Sequence, residues 1–443
     1  MRPLLTLHRG LLISLGLLVV CSLTSRAADW PQWRGVDGQG HSSATDLPIT
    51  WSEEKNVAWK TELPGRGYSS PDVDGNLIWL TTALETPADP VKAKERLKAN
   101  TGGQPLTLLD QVEFRAVCVA RDTGKILRDV SLMTEKDPQW VHTLNSYASP
   151  TPILQDGRLY CHFGTFGTVC VNSATGEILW RNTELHCMHE NGPGGSPVLW
   201  KNDLIVMLDG SDVQYVAALD KDTGKVLWKT TRSGELRSDP QLKKSYGTPL
   251  IVNVNGQEQL IAPGADWLYG YDPATGRELW KMSYGMLGFS ITPRPVAGHG
   301  MLFMSTGFMK PDMLGIRYEG QSQPEIVWHF KQGAPTMPSP LLVGDELYFM
   351  SDGGIFTCLD AVSGKEHYRQ RLGGNFSSSP LYADGKIYVC SREGVTHVIQ
   401  PGKEFKSLGN SDLGRPIMAS PIALDHALFL RTDKALYRIE KAK

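Results

Sequence analysis

Carboxylate, amide, guanidinium and indole groups crowd the middle of this chain, and their types suit a ligand site built from oxygen donors. Glu190 and Asn191 stand together, Asp209 and Asp212 follow in Asp-Gly-Ser-Asp, and Arg237, Tyr246, Asp266, Trp267 and Arg294 complete the set, with Asp239 and Lys244 alongside. Carboxylate and amide oxygens suit a hard cation, a guanidinium suits carboxylates and carbonyls, and a flat indole suits stacking on a planar ligand. Each also has a plainer reading. Glu190 and Asn191 suit a turn-stabilising role, and Asp209 and Asp212 suit ordinary hairpin chemistry, where a side-chain oxygen starts the turn. Arg294 lies in Thr292-Pro293-Arg294-Pro295, whose prolines hold the backbone stiffly. His142, His186 and His189 lack metal-ligand spacing on a recognised element, which favours structural roles. No nucleophile elbow, HExxH or convincing paired-carboxylate motif points to a hydrolase or lyase.

What positions these groups is a repeat. A Ser-Pro or equivalent opens a short apolar strand at Pro71, Pro152, Pro197, Pro249, Pro295, Pro340, Pro380 and Pro421, and a second apolar strand follows within about a dozen residues. The anchors recur at 40 to 52 residues except for the first gap of 81, which is near the period of a four-stranded propeller blade with one insertion. Eight anchors predict eight blades. Each repeat has a second half, clearest in Ala218-Leu219-Asp220-Lys221-Asp222-Thr223-Gly224 running to Trp228, with echoes ending at Trp180 and Trp280. Asp starts a tight turn, Gly supplies a positive φ, and the tryptophan that follows packs between blades, as expected for Trp59, Trp180, Trp228, Trp280 and Trp328.

This second half resembles the pyrroloquinoline-quinone (PQQ) repeat family, whose docking motif runs Ala-x-Asp-x-x-Thr-Gly-x-x-x-Trp. The resemblance covers nearly the whole chain behind its N-terminus, and Trp30-Pro31-Gln32-Trp33-Arg34-Gly35 is similar to the opening of secreted PQQ-like propellers. It implies an all-β, eight-bladed propeller of four-stranded antiparallel blades, related in architecture to WD40 and YVTN-like repeats. The last repeat stops after Ala435-Leu436-Tyr437-Arg438-Ile439 without an outer strand, whereas Asn56-Val57-Ala58-Trp59-Lys60-Thr61 has that strand's pattern. An N-terminal strand is therefore expected to close the last blade.

Organisation follows from these patterns. Basic residues ahead of an apolar run from Leu11 to about Leu23, then Ser25 and Ala27, read as a signal peptide over 1–27, and an uncleaved anchor is the alternative. Residues 28–55 are expected to wrap the outside through Trp30, Trp33 and Trp51, and 56–443 to form the propeller. Pro87 to Leu109, within an insertion at about 83–113 of the first blade, carries a short charged helix pattern, read as a solvated decoration or a lid over one face. The remaining cysteines, Cys118, Cys161, Cys170, Cys187, Cys358 and Cys390, lack CxxC or CxxCH spacing. Cys161 and Cys170 flank Gly164-Thr165-Phe166-Gly167, so a disulfide and two buried thiols are both open.

A net charge of −2 gives no basic footprint, which argues against nucleic acid. No later apolar run approaches about 20 residues, so no transmembrane span is expected after the signal. The expected setting is periplasmic or extracellular. Two functions stand. The first is a noncatalytic binding or scaffold propeller of the cell envelope, presenting its channel rim to a protein, peptide or polysaccharide. The second, implied by the resemblance, is a dehydrogenase dependent on PQQ and calcium that oxidises alcohols or sugars, with Glu190 and Asn191 as calcium ligands. The adjacent cysteines and CxxCH haem motif of many such enzymes are absent here.

Overall fold

The computed structural model describes residues 29–442 apart from 101 and 322, so the expected signal lies outside the described residues. Blade 2 illustrates how the repeat folds. Ile153–Gln155, Arg158–His162, Thr168–Asn172 and Ile178–Asn182 pair antiparallel in that order. The first turn is tight because Asp156 and Gly157 both take positive φ, 52° and 74°, matching the twist of the strands they join. Pro152 precedes the strand, where its missing N–H costs no ladder bond.

Eight sheets repeat this plan. Their first strands are Asp72–Asp74, Ile153–Gln155, Val198–Trp200, Leu250–Val254, Val296–Gly298, Leu341–Val343, Leu381–Ala383 and Ile422–Leu424. The first strands of blades 1 and 2, 5 and 6, and 6 and 7 touch, and the residues just ahead of the first strands bond from blade to blade, which places these strands innermost around a central channel. The ring closes as expected: Val57–Glu62 pairs antiparallel with Ala435–Glu440, with Trp59 opposite Arg438. This covers an edge that an open ring would expose.

The tryptophans dock forward onto the next blade. A Cβ on Gly224 would stand 2.5 Å from the Trp180 ring, which is why the turn of the following blade must be glycine there. Trp59, Trp180 and Trp328 donate through Nε1 to the carbonyls of Arg121, Lys221 and Ala361 at 2.9–3.0 Å. Trp228 packs on Gly276 in the same way. Trp280 departs from the pattern, since blade 5 has Tyr318-Glu319-Gly320 in place of Thr-Gly, and it donates instead to Gln259 of its own blade at 2.7 Å. Each buried indole contributes on the order of 4–6 kcal/mol of gross burial.

Residues 29–42 do not lie around the outside. Trp30 bridges Val73, Leu154 donates to the Pro31 carbonyl, Gln39 accepts from Ala297, and His41–Ser42 adds a parallel strand beside Leu381–Ala383. These partners belong to the first strands of blades 1, 2, 5 and 7, so the segment crosses the channel as a plug. It then runs outward between blades 7 and 8, burying Ala44, Leu47 and Trp51, to reach the closing strand. Channel-lining backbone and the plug's own carbonyls satisfy each other, which a polar segment spread over an outer surface would leave to water.

Blade 1 carries longer strands, Leu77–Pro87, Leu109–Ala120 and Ile126–Lys136, and between the first two lies a helix, Pro90–Arg96, capped by Asp89. Leu106–Thr107 of the insertion pairs with Val141–His142. Cys161 and Cys170 are both buried free thiols, since Cys161 pairs with Val169 and Cys170 with Tyr160. One residue of stagger sends the two side chains to opposite faces of the blade, into different core clusters. Among the described residues, no helix is long and apolar enough to cross a membrane.

Candidate functional site

The residue before each blade-opening proline forms a ring of hydroxyls. Ser70 N–H donates to Thr151 Oγ1, Thr151 to Ser196, Ser196 to Thr248, Ser339 to Ser379 and Ser379 to Ser420, all at 2.9–3.0 Å. Each bond ties a blade to its neighbour. Blade 5 carries Arg294 instead, whose backbone N–H still donates to Ser339 Oγ at 2.9 Å. Its guanidinium reaches the Pro249 carbonyl at 3.0 Å and the plug carbonyls of Trp33 and Gly38 at 3.1 and 3.2 Å. Gly38 has φ +68° and a Cβ there would stand 2.2 Å from Arg294 Nη1, so the approach requires glycine.

Above the plug opens a cup of about 600 Å³, with Trp33 among its lining residues. Hydroxyls of the ring line it together with Leu144, Phe308, Met309, Met337 and Met418. Gly102 and Gln104 of the blade 1 insertion also line it, so that excursion forms part of one wall.

Charge in the cup is one-sided. Lys244 is 2 % exposed, and its Nζ donates to the neutral amide of Gln241. Burial pushes its ammonium down to about 8, while Glu190 and Asp239 hold it up. His142 is pushed down by burial and by the charges of Arg392 and Lys244, so the three groups share one field. Asp352 is the carboxylate of the lining; Thr336 donates to it through backbone and hydroxyl at 2.6 and 2.7 Å, and Arg392 stands 4.0 Å away. Beside the plug, Arg34 is lowered to about 9 by burial and by Arg294, and Arg294 to about 10 by burial.

Of the residues singled out from sequence, Asn191 and Tyr246 line the cup. Tyr246 donates to the His189 carbonyl at 2.5 Å. Glu190 accepts the Ser211 hydroxyl at 2.9 Å and lies close enough to Lys244 to act on its charge. Asp209 is buried in a bidentate pair with Arg232, at 2.7 and 3.1 Å. Burial lowers Arg232, and the charge of Asp209 outweighs it and keeps the guanidinium protonated. Asp212 accepts from Met188 N at 2.7 Å, tying its turn to the segment that leads into blade 3. Arg237 and Asp266 form their own ion pair. Trp267 donates to the Glu235 carbonyl at 2.9 Å beneath Lys281, whose Nζ is 5.4 Å from the ring. His189 accepts from Thr165 N through Nε2 at 2.8 Å, and burial lowers it to about 4.

Sequence reasoning did not single out Arg392, Asp352, Gln104 or the floor contributed by Trp33. A signal for the ring was present, since a hydroxyl residue stands before seven of the eight anchor prolines and Arg294 before the other.

A PQQ-repeat family model described as outer membrane protein assembly factor BamB matches residues 165–280 and 264–401, together just over half of the chain. The chain belongs to this PQQ-repeat family. Among curated relatives, outer membrane protein assembly factor BamB of Shewanella oneidensis is 22 % identical over 236 residues, 49 % of this chain and 56 % of that protein. The match thus spans little more than half the relative's length. Solved propellers share the fold: BamB from Moraxella catarrhalis superposes with a TM-score of 0.54 at 13 % identity, over 76 % of this chain and 95 % of that one. Quinohemoprotein alcohol dehydrogenase from Comamonas testosteroni superposes with 0.62 at 12 % identity, over 95 % and 82 %, and a europium-containing methanol dehydrogenase with 0.56 at 11 %, over 93 % and 98 %.

Membership of the PQQ-repeat family raises the fit of a quinone with a calcium ion. Calcium needs six to eight oxygens around one point. Here Asp209 is spent on Arg232, Asp212 on a backbone N–H, Asp266 on Arg237, and Trp267 is absent from the cup lining. Among the described residues no group of three His, Cys, Asp or Glu side chains is placed to hold a metal ion. The donor set does not converge on the cup, and the residues present do not fit such a cofactor.

Proposed function

We propose that this PQQ-repeat propeller is a binding scaffold of the cell envelope that holds an extended protein segment in its cup. The observation that carries the reading is the blind-ended cup: the chain's own residues 31–40 close the channel, leaving a cavity of about 600 Å³ with apolar walls and hydrogen-bonding groups set among them. Such a cavity has the size and mixed lining of a ligand site. Methionines at 309, 337 and 418 let the wall adapt to varied side chains. The family's name and the Shewanella relative's, both referring to outer membrane protein assembly, support a protein partner. Under this reading residues 1–27 serve as an export signal, 28–55 as the plug and its outward run, and 56–443 as the propeller, working in the periplasm or outside the cell. Asn191 and Tyr246 belong to the binding wall, Glu190 acts on it through the charge of Lys244, and Arg294 fixes its floor.

The reading is tested by placing a photocrosslinking amino acid at Met309 or, on the opposite face, at Asp156, and irradiating with a labelled unfolded outer-membrane β-strand peptide. Crosslinks from position 309 alone are expected. Equal labelling from both positions would remove the cup as the site. Dye-linked alcohol oxidation after adding PQQ and calcium, with a quinone absorbance band, would establish the dehydrogenase instead.

A further inference from the structure

A buried ammonium without a counter-ion is costly, and here it faces a cavity. Lys244 is 2 % exposed, lines the cup, and has the neutral Gln241 amide as its hydrogen-bond partner, with no carboxylate in ion-pair contact. Such a group asks for an anion. The surroundings agree: Arg392 lines the same cup, Arg34 and Arg294 lie buried at the plug, and the one lining carboxylate, Asp352, is already engaged. This local excess of positive charge occurs in a chain whose net charge is −2.

Two further atoms specify the kind of anion. Gln104 Nε2 and Asn191 Oδ1, both from lining residues, are buried without hydrogen-bond partners. One is a donor and the other an acceptor, and a peptide unit offers the complement of each. Leaving both unpaired is unfavourable, so an occupant that satisfies them gains affinity. Phe308, Met309 and Met418 supply apolar contact beside them.

We infer that the cup receives the carboxyl-terminal end of an extended apolar polypeptide, with Lys244 pairing its free α-carboxylate and Gln104 and Asn191 holding a peptide unit. This rests on the binding-scaffold reading and narrows its ligand. The terminal carboxylate is bound and released without covalent change. An internal segment lacks that charge and is disfavoured, so the cup reads chain ends.

The test uses the protein from residue 28 onward and two fluorescein-labelled apolar hexapeptides, identical except that one ends in a free carboxylate and the other in a carboxamide. Fluorescence anisotropy is expected to give at least about 10-fold tighter binding of the acid, as for a desolvated charge pair. Lys244→Met is expected to bring the acid down to the affinity of the amide while leaving the amide unchanged; Gln104→Ala is expected to weaken both. Equal binding of acid and amide by the native protein would overturn the inference yet leave a peptide-binding cup. Failure of both to bind would overturn the scaffold reading with it. Displacement of the acid peptide by a uronic acid oligosaccharide at equal concentration would overturn the assignment to a polypeptide end. Should Lys244→Met not fold, the native protein at pH 7 and pH 9.5 replaces it, with the acid preference lost at the higher pH.

Discussion

Arg294 donates through Nη1 to the carbonyl oxygen of Trp33, 3.1 Å away and 261 positions distant in the chain. That bond joins the one blade lacking a hydroxyl before its proline to the segment that closes the channel. Arg294→Ser would restore a hydroxyl opposite Thr248 N–H while releasing the plug, and Arg294→Ala would do neither. Hydrogen exchange over residues 31–40 is expected to accelerate strongly in both. Chemical unfolding is expected to show a loss of about 2–4 kcal/mol for Ala and less for Ser, because several charge-assisted bonds are removed but Ser regains one neutral bond. Unchanged exchange over the plug would show that Arg294 does not hold it.

The two aspartates of Asp209-Gly210-Ser211-Asp212 differ in what they carry. Asp209→Asn removes the partner of a guanidinium that is 2 % exposed in its side chain, and a cost of about 3–5 kcal/mol is expected. Asp212 is exposed and accepts a single backbone N–H, so Asp212→Asn is expected to cost less than about 1 kcal/mol. Urea midpoints of the two variants decide it, and equal losses would contradict the assignment.

Asp72, opposite Trp79 in the first blade, is fully buried with neither carboxyl oxygen hydrogen-bonded, and burial raises its pKa well above the ordinary range. Its folded state binds the proton more tightly than the unfolded chain, so the stability it allows is present below about pH 4 and falls as pH rises toward the folded value. Asp72→Asn is therefore expected to be nearly neutral at pH 4 and stabilising at pH 7. The gap should grow by up to roughly 1.4 kcal/mol per pH unit. A pH-independent difference in unfolding free energy would contradict a raised pKa.

Lys244 gives the cup its own pH dependence. Burial lowers the ammonium to about 8, Glu190 and Asp239 oppose the fall, and His142 shares its field. Acid-peptide affinity is expected to decline as pH rises through about 8, while amide-peptide affinity stays level. Anisotropy titrations from pH 6.5 to 9.5 measure this directly, and parallel profiles would remove Lys244 from the contact.

The blade count, the closing strand and most of the tryptophan docking are local matters, and the chain states them locally. A proline and an apolar strand recur in every repeat, and a tight turn and a later Trp in most, because each blade solves the same packing problem within about 45 residues. The course of residues 29–42 is a different kind of property. Trp33, Arg34, Gly38 and Gln39 read the same on an outer surface or inside a channel, since their partners are Arg294, Pro340 and the blade 5 strand, hundreds of residues away. The same holds for the acidic residues near Asp209. Their types suited a cation site, but Arg232 and Arg237 neutralise two of them once the blades stack. Only the ring decided that Lys244, His142 and Arg392, from three separate connections, would face one cavity, because convergence around a central axis is set by the arrangement of blades and not by any spacing along the chain.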